Sequence, residues 1–259
     1  MPALLDGRIA LIVGAGQGLG RAVAAAFAGE GALLAVADLN GDAARATLAL
    51  TGQGDTGLAL PVDIADAAAC RAMVEAVVGR FGRFDVLVNC AAILLVDPLL
   101  EVTPERWDRV FAVNARGAFF CLQAAAQAMV ARGGGRIITV STPASRLGVP
   151  DFASYGASKA AVDSMTRSAA IALAPHGVTV NTIVPGRMTG GMIDALDRDL
   201  AALTDKAADE LAAERTASLP MGRRVAPEEV ARAAVWLASD AAAYVTAERF
   251  NFTGGQELA

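Results

Sequence analysis

A chain of 259 residues with 54% hydrophobic content is long enough to bury a large core, yet Gly, Pro or a charge breaks every apolar run before the ~18–20 residues of a membrane span. Asp6 and Arg8 interrupt the first apolar stretch, so no signal peptide is expected; a cytoplasmic location fits Cys70, Cys90 and Cys121, which lack metal-ligand spacing. Lys and Arg number 22 against 27 Asp and Glu, and the net charge of -5 excludes the basic footprint of a nucleic-acid or anionic-membrane binder, leaving a small-molecule site.

The first candidate strand, Ile9–Val13, runs into Gly14-Ala15-Gly16-Gln17-Gly18-Leu19-Gly20, and a helix is predicted over Leu19–Glu30. Strand, glycine turn and helix in that order suit a phosphate: glycines allow the tight turn and let backbone N–H groups and the helix N-terminus approach a pyrophosphate. The spacing is Gly14-x3-Gly18-x-Gly20 rather than Gly-x-Gly-x2-Gly. The next strand, Leu33–Ala37, ends at Asp38, the acid expected about 20 residues on, whose carboxylate accepts hydrogen bonds from the adenosine ribose hydroxyls. It also repels a 2′-phosphate, and no basic residue follows until Arg45, so the expected cofactor is NAD rather than NADP.

A helix over Asp42–Leu50 and a strand over Leu58–Pro61 follow, then Asp63, which is either the acceptor for an adenine amino group or a helix N-cap in Asp63-Ile64-Ala65-Asp66. Helix Ala65–Phe81, strand Val86–Asn89, a long helix Pro104–Ala131 that contains Asn114, and strand Arg136–Ser141 come next. Helix Ala157–Ala174, strand Thr179–Val184, helix Pro227–Ala238 and strand Arg249–Phe252 complete the pattern. Apolar strands alternating with alanine-rich helices predict an α/β fold, a doubly wound parallel sheet of about seven strands with helices on both faces. No Pro/Ser-rich linker divides 1–259, which reads as one domain. The charged insert 187–221 after Pro185-Gly186 is either a substrate lid or a solvated helix pair.

Tyr155-Gly156-Ala157-Ser158-Lys159, read with the glycine cluster, suggests a tyrosine acid/base, whereas alone Tyr and Lys four apart are also common on solvated helices. A phenol with a pKa near 10 is a poor base at neutral pH, and on a helix the i, i+4 spacing puts the Lys159 ammonium beside Tyr155, where it lowers that pKa.

Gly14-x3-Gly18-x-Gly20, Asp63, Asn89-Cys90-Ala91-Ala92, Asn114, Tyr155-x3-Lys159, Pro185-Gly186 and Pro227-Glu228-Glu229-Val230-Ala231 occur in one order from Gly7 to Gly255. Together they resemble the short-chain dehydrogenase/reductase family. The resemblance implies a Rossmann-type fold, usually tetrameric (a homodimer being the alternative), that passes a hydride between nicotinamide and a carbonyl or alcohol carbon. It implies Tyr155 as acid/base and Lys159 as the holder of the nicotinamide ribose. Asn114 is then either the anchor of a proton-relay water or a helix-kinking residue that bonds backbone. The tetrad serine falls on Thr142, thirteen positions before Tyr155, which keeps the hydroxyl and adds a methyl; Pro143 restricts it toward extended backbone. The implied cofactor contacts are Gly14, Gln17, Gly18, Leu19, Gly20, Asp38, Leu39, Asp63, Ile64, Asn89, Ala91, Pro185, Gly186 and Met188, with Tyr155 and Lys159. Val13, Cys90-Ala91-Ala92, Gly190, Ala247 and Thr253 depart from the family's usual residues. The expected substrate end is mainly apolar, from Ile93, Leu94, Leu95, Val96, Leu147, Val149, Phe152 and Met192, with Arg146 and Arg187 the nearby cations, both expected in solvent.

The function implied is an NAD-dependent dehydrogenase that interconverts a secondary alcohol or polyol and its ketone. The alternative is an NAD(H)-binding protein of the same family impaired in catalysis, with a sensing or structural role. A metal or Ser–His hydrolase is excluded, because His176 is the sole histidine and stands in a helix-end turn.

Overall fold

A computed structural model describes residues 3–204 and 206–257. Seven strands, β1 (Ile9–Val13), β2 (Leu33–Asp38), β3 (Leu58–Pro61), β4 (Val86–Asn89), β5 (Gly135–Val140), β6 (Val178–Pro185) and β7 (Arg249–Phe252), form one parallel sheet in the order β3-β2-β1-β4-β5-β6-β7. The chain winds outward from β1 through β2 to β3, then returns to start the second half at β4. That reversal between β1 and β4 opens a crevice at the strands' carboxyl ends, the usual ligand position of such sheets.

Both faces of the sheet are covered, which is why its central strands are apolar throughout rather than alternating. In β1, Ala10 and Ile12 pack toward α1 (Gly18–Gly29), α2 (Gly41–Leu50) and α9 (Pro227–Ala238). Ile9, Leu11 and Val13 face α3 (Ala67–Phe81), α5 (Ala118–Arg132) and α6 (Ala153–Leu173). Burying Phe27, Leu34 and Val235 on one side and Met73, Phe84 and Met129 on the other contributes about 1.5–3 kcal/mol per side chain.

Two helices differ from the sequence expectation, and the insert resolves into a helix pair. The helix predicted over Pro104–Ala131 is two helices, α4 (Pro104–Phe111) and α5, joined by one π-helical turn at Ala112–Gly117. Asn114 lies in that turn, fully buried, and its side chain is drawn to the backbone of Ile93. Helix α6 begins at Ala153 rather than Ala157, so Tyr155 is in its first turn. The insert folds as α7 (Met192–Ala201) and α8 (Ala208–Ala217), closed off by a bridge from Met188 to Val225.

Candidate active site

One cavity of about 440 Å³ runs along the crevice from the β1–α1 turn to the insert. At its nucleotide end the glycines are required by space as much as by backbone. Gly14 has φ +74°, and a Cβ there would lie 2.6 Å from the Ala91 nitrogen. A Cβ on Gly16 would lie 2.7 Å from the Asp38 carboxyl carbon, while its N–H donates to Asp38 Oδ2 at 2.8 Å. The N–H of Asn40 donates to the other oxygen at 3.0 Å, so the Asp38 carboxylate is aimed by backbone from both sides. Behind the turn Thr47 Oγ1 donates to Ala15 O at 2.8 Å, and Arg21 reaches Thr47 and Gly16 O. Asp63 lines the same end, and its Oδ1 accepts from Ala65 N at 2.9 Å; the N-cap of α3 is Asp66, which accepts from Ala68 N.

Gln17, Gly18, Leu19, Gly20, Leu39, Ile64, Ala91, Pro185, Gly186 and Met188 line the cavity with Gly14, Asp38 and Asp63. Asn89 and Asn114 do not line it. Asn89 is buried and accepts from Ala91 N at 3.2 Å, which holds the strand-end turn against Gly14. Asn114 accepts from Ile93 N and donates to Ile93 O, both at 2.8 Å, and donates to Ser158 Oγ at 3.1 Å. Its amide therefore clamps the cavity wall at Ile93 and ties it to α6.

At the reacting end Thr142, Tyr155 and Lys159 all line the cavity. Thr142 is extended (φ -156°, ψ 156°), as a residue before proline should be, and its hydroxyl accepts from Ala144 N at 3.4 Å. Burial pushes the Tyr155 phenol up to about 12, opposed by a hydrogen bond from the Thr142 side chain. Burial pushes Lys159 down to about 8, opposed by nearby Cys90 and Asp163. Here the sequence expectation needs correcting. Lys159 Nζ donates to the Val140 carbonyl at 2.7 Å, and burial sets the upward direction of the Tyr155 shift.

The substrate end carries Ile93, Leu94, Leu147, Val149, Phe152 and Met192 as expected, without Leu95 or Val96, and adds Leu196, Leu200, Arg215 and Gln256. Arg146 is exposed and lines nothing. Arg187 is not in solvent: its Nη1 is spent on Arg215 O and, at 2.7 Å, Ser218 Oγ within the insert. No sequence signal marks Gln256, which reaches the cavity from the C-terminal tail, whereas Arg215 comes from the insert 187–221. Among the described residues, no cluster of three His, Cys, Asp or Glu is arranged to hold a metal, and no helix is long and apolar enough to cross a membrane.

A family model described as enoyl-(acyl carrier protein) reductase matches residues 14–257. The sorbitol dehydrogenase of Cereibacter sphaeroides is 41% identical over 97% of this chain and 98% of that relative. The galactitol 2-dehydrogenase of Agrobacterium fabrum is 40% identical over 97% and 98% of the two chains. Among solved structures, an NAD+-bound xylitol dehydrogenase superposes with a TM-score of 0.92 at 29% identity, covering 97% of this chain and 99% of that one.

Proposed function

The chain belongs to the short-chain dehydrogenase/reductase family, and from that premise we propose an NAD(H)-dependent oxidoreductase that interconverts a polyol, or another secondary alcohol, and its ketone. The observation that carries this reading is one cavity lined at one end by the glycine turn and Asp38 and at the other by Thr142, Tyr155 and Lys159. The printed names of the relatives, sorbitol and galactitol dehydrogenases, support a polyol as substrate.

The nucleotide end fits a dinucleotide, because Gly14 and Gly16 let the turn pack closely on Ala91 and Asp38, where a Cβ would clash, while Gly14, Gly18 and Gly20 line the cavity. Asp38, aimed by Gly16 and Asn40, would hold the adenosine ribose and select NAD. Gly14, Gly18 and Gly20 would face the pyrophosphate, and Asp63 and Ile64 the adenine. Once bound, the nicotinamide supplies the hydride acceptor for oxidation or the donor for reduction.

Proton transfer belongs to the chain itself. Thr142 orients the substrate oxygen, and its χ1, stiffened by the methyl, fixes that hydrogen bond beside the reacting carbon. Tyr155 takes the hydroxyl proton in oxidation and returns it in reduction. A buried phenol needs a nearby cation to act as a base at neutral pH, and Lys159, one helical turn on, would supply that charge once the dinucleotide is bound and then carry the proton onward. Helices α7 and α8, which cover the substrate end, serve as its lid. Exposed Trp107 and Phe119 on α4 and α5 favour assembly into a homotetramer or homodimer, and a cytoplasmic location completes the reading.

Steady-state oxidation of a polyol panel with NAD+ tests this. Tyr155→Phe should lower kcat by about 10²–10⁴-fold while NADH titration gives an unchanged Kd. Turnover of no alcohol by the wild type, or an unimpaired Tyr155→Phe, refutes it.

A further inference from the structure

A buried ionic cluster beside Thr142 comes from β7 and the C-terminal tail, outside every motif discussed above. Arg249 opens β7, where it pairs with Thr182 of β6. Its Nη2 lies 3.2 Å from the Thr142 carbonyl oxygen and 3.3 Å from Ser145 Oγ, two acceptors for one of its N–H groups. The same nitrogen meets Glu257 Oε1 at 2.5 Å, and Nη1 meets Glu257 Oε2 at 2.7 Å, a forked pair. Nη1 also donates to Asn251 at 2.5 Å, and Nε meets Asp163 Oδ2 at 3.3 Å. The side chains of Arg249, Asp163 and Glu257 are 9%, 7% and 8% exposed, so the guanidinium is enclosed with its partners.

We propose that Arg249 is a positioning residue of the reaction, which holds the Thr142 carbonyl so that the Thr142 hydroxyl meets the substrate oxygen beside Tyr155. The proposal rests on the dehydrogenase reading above. Thr142 needs such a hold. It sits past the end of β5, and the contact from its own hydroxyl to the backbone, Ala144 N, is long at 3.4 Å. Ser145 Oγ lies 2.9 Å from the Thr142 carbonyl and 2.7 Å from Asp163 Oδ2, but its single proton serves one of them at a time. Arg249 supplies the donor that makes both bonds simultaneous.

The cluster also continues the catalytic helix face. Tyr155, Lys159 and Asp163 follow one another at i, i+4 and i+8 along α6, so Lys159, Asp163, Arg249 and Glu257 alternate in charge from the reacting end to the tail. A buried ionic cluster of this kind contributes little stability beyond an apolar replacement of the same shape. What it supplies is direction, because a planar guanidinium can engage two carboxylates and still present an N–H to the Thr142 carbonyl. Glu257 completes the fork from the chain's end, and its neighbour Gln256 thereby lies on the cavity wall.

The test is a double-mutant cycle on polyol oxidation. Arg249→Lys and Glu257→Gln should each lower kcat/KM about tenfold, mainly in kcat, with the KM for NAD+ changed less than about twofold. In a Thr142→Ala background each should cost less than about twofold further, since the group they position is gone. Glu257→Gln, near the chain end and isosteric, keeps the test open if Arg249→Lys folds poorly. Tenfold losses repeated on top of Thr142→Ala, or single variants as active as wild type, overturn the inference while the dehydrogenase reading stands. A wild type inactive on every alcohol overturns both.

Discussion

Replacing Asp38 by Asn is the sharpest test of cofactor choice, because it keeps the shape and removes the charge. In the structure both carboxylate oxygens accept backbone N–H groups, from Gly16 at 2.8 Å and Asn40 at 3.0 Å. An amide has one acceptor oxygen, so one of those N–H groups would face an NH2. Stranding one of those donors costs about 1–3 kcal/mol in the free protein and the complex alike, so it reads out as stability. NADH affinity should fall by what the ribose hydroxyls lose in exchanging a charged for a neutral acceptor, about 1–2 kcal/mol or roughly 5- to 30-fold. For NADPH a second effect runs the other way. Two unit charges 4 Å apart repel by about 1 kcal/mol in water and about 4 kcal/mol at an effective dielectric of 20. Removing the Asp38 charge should thus raise the NADPH-to-NADH affinity ratio by between about 5-fold and 10³-fold. Fluorescence titration of wild type and Asp38→Asn with both dinucleotides reads the two effects separately. A wild type that binds NADPH as tightly as NADH, or an Asn variant with an unchanged ratio, would refute the assignment of Asp38.

Two other predictions follow from buried groups. Asn114→Ala strands the N–H and C=O of Ile93, a cost of roughly 3 kcal/mol, and should lower Tm by about 6–12 °C; a shift under about 2 °C in a thermal melt contradicts the clamp. Tyr244→Phe leaves Tyr155 as the sole tyrosine of two, and its phenolate absorbance should be absent at pH 10 and appear only toward about 12 in the free protein. Because the folded value lies above the ordinary one of about 10, the protonated phenol favours the fold, and that contribution is full below pH 10 and lost as pH rises toward 12. A phenolate seen near pH 8 in the free protein would contradict the burial of Tyr155.

What was legible in the sequence is what short-range physics decides. The strand–glycine–helix run at Ile9–Gly29, the acid at Asp38 and the i, i+4 pair in α6 all follow from local periodicity and backbone freedom, and the structure has them in place. Strand ends fell within a residue or two for the same reason. The misses have a common cause, competition among partners brought together only by folding. Nothing in the helical pattern of Pro104–Ala131 signals that Asn114 will spend its amide on Ile93, 21 positions earlier, and open a π turn. Spacing put the Lys159 ammonium beside Tyr155, but α6 lies against β5, and the Val140 carbonyl, 19 positions back, captures it. Arg249 is the extreme case, since its carbonyl partner on Thr142 is 107 positions away and its fork is completed by the tail. The i, i+4 rule therefore gives the direction in which a side chain points, and the tertiary neighbours decide which acceptor it finds. For this chain, that means the Tyr155–Lys159 pair was readable from α6 alone, while the groups packed around it came from β5, β7 and the C-terminal tail.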